Sequence, residues 1–245
     1  MKVLWLASWY PSKIFPYDGD FIQRHAAAAA LYNEVEVIHV VKDADGLITH
    51  NIKETVTTNG GLTERIIYYK PVKTRVTIVN RFLSSLKYKK IYRNAVDSYV
   101  QKNGKPALVH VHIAMKAGLV ALWIKRKYKL AYILSEQWGG YLDGAKPHIS
   151  DYNKVYQVYW KQIFREAVSS TYVSAVLEQQ AIKLFRVEHT QVIPNVVNTE
   201  IFHPVTREHR SKTRFIHIST MTWQKNPEAI LHAVQQLKKT MPVEL

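Results

Sequence analysis

Cysteine is absent from all 245 residues. That excludes a disulfide scaffold and any site built on a thiolate, and it fits a reducing compartment. No apolar run reaches the roughly 18 to 20 residues that a helix needs to span a bilayer. The opening Met1-Lys-Val-Leu-Trp-Leu-Ala7 is too short for the apolar part of a signal peptide, and Asp18 and Asp20 follow it closely. The dinucleotide fingerprint Gly-x-Gly-x-x-Gly is missing, which leaves nicotinamide or flavin binding with little support. Acids are missing where bases are dense. From Arg65 to Arg93 stand nine Lys or Arg (65, 70, 73, 75, 81, 87, 89, 90 and 93) and no Asp or Glu.

What is present in excess is positive charge. Lys and Arg number 34 against 19 Asp and Glu, a formal charge of +15. Such an excess attracts nucleic acid, anionic bilayers or phosphorylated substrates. A solvated helix face accounts for the periodicity of the basic run, but Tyr68, Tyr69, Phe82 and Tyr88 interleave with it. That mixture suits anionic headgroups. No nucleic-acid motif accompanies the charge, so the expected partner of residues 65–93 is an anionic membrane surface and not nucleic acid. The expected location is the cytoplasm, peripheral on the inner face of the membrane.

The chain alternates strand and helix patterns. Lys2 to Ala7 reads as a central parallel strand, broken by Ser8-Trp-Tyr-Pro-Ser12. Asp20 is expected to cap an alanine-rich helix from Phe21 to about Tyr32, and Glu34 to Val41 is the next strand. The loop before Phe21 then offers helix N-terminal amides at the sheet's C-terminal edge. Asp18 and Asp20 would repel a phosphate there, so a sugar hydroxyl is the better ligand. Residues 51–70 form a hairpin around Asn59-Gly-Gly61, and residues 76–102 form a helix. Ala107 to His112 is a strand that places His110 and His112 on one side. No third or fourth ligand groups with them, so no metal is expected; one histidine is packed, and His112 faces the cleft at the strand end. Leu130 to Ser135 is a strand ending in Glu136-Gln-Trp-Gly-Gly-Tyr141, where open α/β sheets bind ligands. Glu136 suits sugar hydroxyls, and Trp138 or Tyr141 suits a sugar ring; a tight turn with an exposed acid is an equal reading. Ile149 to Val168 is a long helix, Ser174 caps a helix over Ala175 to Phe185, and Thr190 to Ile193 is a strand. A strand over Arg214 to Ile218 and a helix from Pro227 to about Lys239 follow.

Ile193-Pro-Asn-Val-Val-Asn198, followed by Phe202-His-Pro204, resembles the interdomain linker of retaining GT-B glycosyltransferases of the GT4 type. That linker reads Ile-Pro-Asn-Gly-Val-Asp and then Phe-x-Pro; Val196 stands for its glycine and Asn198 for its aspartate. Trp9-Tyr-Pro11 with Gly19-Asp-Phe21 is similar to the acceptor-side loop, and His110-x-His112 to a His-x-His of the family. Ser135-Glu-Gln-Trp138 is similar to its Ser/Thr-Glu-His-Trp, with Gln137 where the family has a histidine. Glutamine hydrogen-bonds but takes no proton near neutral pH. Lys225 matches the lysine that holds the donor's diphosphate, and Thr220 falls near the place of the family arginine.

The resemblance implies an α/β fold: a Rossmann-like parallel sheet with helices on both faces over residues 1–196, then a linker and the first βα unit of a second Rossmann-like domain over 197–245. It implies Gln137 and Lys225 at the reacting centre. Gly19, Asp20, Phe21, His112, Glu136 and Trp138 would lie toward a saccharide or lipid-linked acceptor, and Ser219, Thr220 and Lys225 toward a nucleotide-sugar donor. Neither cofactor nor metal is expected. The family's paired glutamates, Glu-x7-Glu, have no place before residue 245, so a truncated chain, inactive alone, is expected. The rival class is a non-catalytic basic α/β module that binds anionic membrane or nucleic acid.

Overall fold

The computed structural model describes residues 1–205 and 213–244. They divide into two compact units, Met1–Val197 and Asn198–Leu245.

The first unit is organised on β1 (Lys2–Ala7), whose residues Val3 to Ala7 are all buried. A strand buried on both faces sits in the middle of a parallel sheet, and β1 pairs with β2 (Glu34–Lys42) on one side and β5 (Leu108–His112) on the other. Beyond β2 come β4 (Leu62–Tyr69) and then β3 (Ile52–Asn59), a hairpin turning at Gly60-Gly61. Beyond β5 come β6 (Tyr132–Glu136), β7 (Ser169–Tyr172) and β8 (Thr190–Val192). The order is β3-β4-β2-β1-β5-β6-β7-β8, parallel throughout except for β3.

Helices cover both faces unequally. Even-numbered positions of β1, Leu4 and Leu6, pack with α2 (Thr77–Asn103), α3 (Ala117–Tyr128), α4 (Lys154–Glu166) and α5 (Ala175–Phe185). Odd-numbered Val3, Trp5 and Ala7 pack with α1 (Asp20–Ala30) through Ile22 and Ala26, one turn apart. Within Met1–Val197 only α1 lies on that second face.

Three expectations are corrected. Asp20 is not the cap of α1: Gly19 takes that position in a left-handed conformation, and Asp20, first in the helix, pairs with Arg24 at 3.0 Å. The helix expected from Ile149 is broken. A 3-10 turn spans Ile149–Asp151, and α4 starts only after Asn153, whose side chain accepts from the Tyr156 N–H. A short amide side chain at such a place competes with the helix and restarts it. In the second unit, the strand expected over Arg214–Ile218 is confined to β9 (Thr213–Arg214), paired with β10 (Val243–Glu244). The Phe215 N–H still donates to the Glu244 carbonyl at 2.9 Å, and beyond it Ile216 and Ile218 stand exposed. Helix α6 (Pro227–Leu237) has proline in its first turn, as expected.

Candidate active site

The C-terminal ends of the parallel strands gather the loop after β1, the turn after β5 and the turn after β6. Ser8 ties the first two together. Its hydroxyl donates to the Ile113 carbonyl at 2.7 Å and accepts from the Ala117 N–H at 2.9 Å. The loop from Trp9 closes at Gly19, where φ is +65°. A Cβ there would lie 2.6 Å from the Trp9 carbonyl carbon, so only glycine fits. Tyr10 is buried and donates to Glu64 at 2.7 Å, while Phe21 packs against the α1-side core. The Trp-Tyr-Pro and Gly-Asp-Phe motifs are thus two ends of one folded loop. Asp18 in that loop is partly buried, and burial raises its carboxyl pKa even though Lys116 opposes the shift.

Glu136 was expected to offer its carboxylate to a ligand. The structure buries it completely and fills it: Oε1 accepts from the Gln137 and Trp138 N–H groups, and Oε2 from the Ala114 N–H and the Tyr141 hydroxyl, all at 2.9–3.0 Å. A carboxylate has about four acceptor sites, and all four are taken. Burial raises its pKa, against those four bonds. Glu136 is therefore a bracket joining the β5 and β6 turns. Trp138 is likewise turned inward. It stacks on Trp160 at 5.4 Å and meets Tyr141 edge-on, and a Cβ on Gly140 would fall 2.0 Å from its ring.

His112 is not at an open strand end. It is buried between Trp5, at 4.0 Å between ring centroids, and His110, at 4.1 Å. Burial, then His110 and His25, hold its pKa well below the usual histidine range. His110 contacts the Ser135 hydroxyl at 2.7 Å, and Ser135 contacts Thr171 at 2.6 Å. This polar row crosses β5, β6 and β7 on the α1 face and floors a cavity of about 300 Å³. Its walls include His25 and Ala29 of α1 and also Gln137. The cavity brings Gln137, Glu136 and His112 together; Gly19, Asp20, Phe21 and Trp138 do not line it. Ser135 and Thr171 escaped the sequence reading because strand order, not spacing, aligns them. His25 escaped it too; it touches Asn195 Oδ1 at 3.2 Å, which docks the Ile-Pro-Asn segment onto α1.

In the second unit, Ser219 contacts His217 at 2.8 Å and accepts from the Met221 N–H. Thr220 is exposed. Lys225 ends a 3-10 turn just before Asn226, whose side chain accepts from the Ala229 N–H and caps α6. Its ammonium is exposed and has no acceptor among the described residues. A lysine beside a helix N-terminus favours an anion there. Among the described residues no three His, Asp or Glu side chains converge as a metal would require.

No curated protein matches the chain. Among solved structures it is similar to sucrose-phosphate synthase from Thermosynechococcus elongatus, with TM-score 0.54 and 15% identity, covering 84% of this chain and 51% of that one. It is also similar to UGT89C1 from Arabidopsis thaliana complexed with UDP-L-rhamnose, with TM-score 0.51 and 10% identity, covering 96% of this chain and 62% of that one. These likenesses place the fold, and the chain spans 51% and 62% of the two neighbours' lengths. The profile of Glycosyltransferase Family 4 matches residues 26–201, which run from α1 through the His110 strand and the Glu136 turn to the Asn195 segment; the chain belongs to that family.

Proposed function

We propose that the chain supplies the acceptor-side domain and the first donor-binding elements of a glycosyltransferase. The enzyme moves a sugar from a nucleotide-sugar donor to a polysaccharide or glycolipid acceptor with retention of configuration. The family match over residues 26–201 carries this reading. The placement of Lys225 before α6 supports it. A departing nucleoside diphosphate gathers negative charge, and an ammonium beside a helix N-terminus stabilises such charge where it develops. Gln137, in the wall of the His112 cavity, orients a hydroxyl or carbonyl by hydrogen bonding and moves no proton. The nucleotide-sugar is a substrate, and the reading calls for no cofactor or metal.

Among the described residues the second unit contributes one helix and a two-stranded ladder, and in this reading they hold the diphosphate without enclosing the nucleotide. The 245-residue chain is therefore expected to bind a nucleoside diphosphate weakly and to transfer no sugar by itself. Ligand-observed NMR with UDP, GDP, UMP and uridine tests this. The response should grow with phosphate number and vanish in Lys225→Ala with the circular dichroism unchanged. An equal response to uridine, or one that survives Lys225→Ala, removes Lys225 from the donor site. Sugar transfer by the chain alone would overturn the inactivity.

A further inference from the structure

The basic run does not form one patch. Arg65 is held between Glu36 and Glu54, and Arg93 lies over the Trp123 ring. Lys70 donates to the Thr49 carbonyl, and Lys87 to the Lys70 carbonyl and Asn51. The side chains of Lys73, Arg75, Arg81, Lys89 and Lys90 make no hydrogen bond or ion pair among the described residues. Three of these five, Lys73, Arg81 and Lys89, meet Lys42 from the end of β2 and Lys116 from the start of α3 around a basin of about 480 Å³, lined by no acid among the described residues. Among the described residues Asp18 is the carboxylate that acts on Lys116, and Lys42 repels the Lys116 ammonium. Tyr69, Tyr88, Pro71 and Val72 add apolar wall. Asn80 and Ser84 fix the rim, the first through the Thr74 backbone and the second through the Val72 N–H at 3.0 Å.

Beside the basin stands an apolar stripe that the core does not use. None of the α2 residues before Tyr88 is buried. Ile78, Phe82 and Leu86 are four residues apart and so share one side of the helix. They are 76%, 62% and 46% exposed, with Val79 and Val76 beside them. Exposed aromatic and branched side chains flanked by unpaired cations are the composition of a helix lying in a membrane interface. No helix among the described residues is long and apolar enough to cross a membrane.

We propose that the first turns of α2 lie in the surface of an anionic bilayer, with Ile78, Phe82 and Leu86 at the headgroup–acyl boundary and the Lys42–Lys73–Arg81–Lys89–Lys116 basin on lipid phosphates. Charge complementarity selects this occupant, because an acid-free rim of cations around an apolar stripe matches a negatively charged surface with a hydrocarbon interior. A nucleic acid would use the cations and leave the stripe in water. Binding of this kind needs no donor or acceptor sugar, so it stands or falls separately from the transferase reading.

Flotation with phosphatidylcholine vesicles, one third phosphatidylglycerol, tests it. Wild-type protein should float with these vesicles and not with pure phosphatidylcholine. Each Lys or Arg near an anionic surface contributes about fivefold in affinity, so Lys73→Glu/Arg81→Glu/Lys89→Glu should weaken binding more than tenfold. Ile78→Ser/Phe82→Ser, which leaves every charge in place, should also release the protein. The remote pair Lys102→Glu/Lys161→Glu should not. All the substituted positions are wholly or partly exposed, and circular dichroism checks folding. Equal loss in the remote pair, full binding by the serine variant, or flotation on neutral vesicles overturns the assignment. So does tighter binding to duplex DNA than to vesicles. Inorganic phosphate should compete no better than chloride of equal ionic strength; stronger competition would mean a free-anion site.

Discussion

His112 stacks on Trp5 with ring centroids 4.0 Å apart, while both of its ring nitrogens are buried and lack a hydrogen-bond partner among the described residues. A neutral imidazole carries one donor and one acceptor. Leaving a buried polar group dry costs about 1–3 kcal/mol, and an aromatic stack returns about 0.5–1.5 kcal/mol. His112→Phe keeps the ring on Trp5 and removes the unpaired atoms. Because the stack is common to both proteins, urea unfolding should show the variant more stable by about 1–3 kcal/mol, the cost of the unpaired nitrogens. A clear loss of stability would mean that the nitrogens are satisfied in solution.

The same burial makes the fold sensitive to acid. Burial, reinforced by Lys116, lowers the pKa of His39 to about 4 against the pull of the Ala7 carbonyl. Burial lowers that of His110 to about 3, with His25 adding to it, and His112 shifts in the same direction. Unfolded, each histidine takes a proton near pH 6.5; folded, none does until its own lowered pKa. The stability they confer is thus complete above about pH 6.5 and is lost as pH falls toward about 4, at up to roughly 1.4 kcal/mol per pH unit for each. Urea midpoints should fall steadily between about pH 7 and pH 5, and His112→Phe should lessen the slope. A flat profile would mean that these rings are hydrated.

The parallel sheet was legible because Lys2–Ala7, Glu34–Val41 and Ala107–His112 are apolar runs of strand length set off by turns. Ser174 before Ala175 announced a helix start that the structure keeps. What failed was local competition: Gly19 displaced Asp20 as a cap, and Asn153 interrupted a regular spacing of aromatics. The site was the hardest to read. Nothing in the spacing of Trp5, His110, Ser135 and Thr171 says that β1, β5, β6 and β7 are neighbours, yet that order makes the row. Nor does proximity in sequence reveal which cations are spent, since Glu36 and Glu54 reach Arg65 from other strands.

Glu136 holds two turns at once, so its removal should be felt by both. Glu136→Ala leaves the Ala114, Gln137 and Trp138 N–H groups without their acceptor; at about 1–3 kcal/mol for each buried orphan, a loss of roughly 3 kcal/mol or more is expected. Tyr141→Phe removes a single donor and should cost about 1 kcal/mol. Chemical unfolding of the two variants decides between bracket and bystander. Equal, small effects would mean that water takes over the carboxylate's bonds and that the side chain is free to meet a ligand.

Arg65 and Lys90 belong to the same acid-free run and carry the same charge, but the structure assigns them opposite work. Arg65 is 14% exposed and sits 2.9 Å from Glu36, with Glu54 on its other side. Removing it leaves two carboxylates from neighbouring strands without their shared cation, a cost between that of an exposed pair and that of a buried one, or about 2 kcal/mol. Lys90 is exposed with no partner among the described residues, so Lys90→Ala should fall within about 0.5 kcal/mol of wild type. Vesicle flotation should reverse the ranking. Lys90→Ala takes a cation from beside the α2 stripe and weakens binding, whereas Arg65→Ala removes a charge already neutralised within the sheet and leaves binding intact. If both substitutions weakened binding equally, net charge rather than the α2 face would be what the membrane reads.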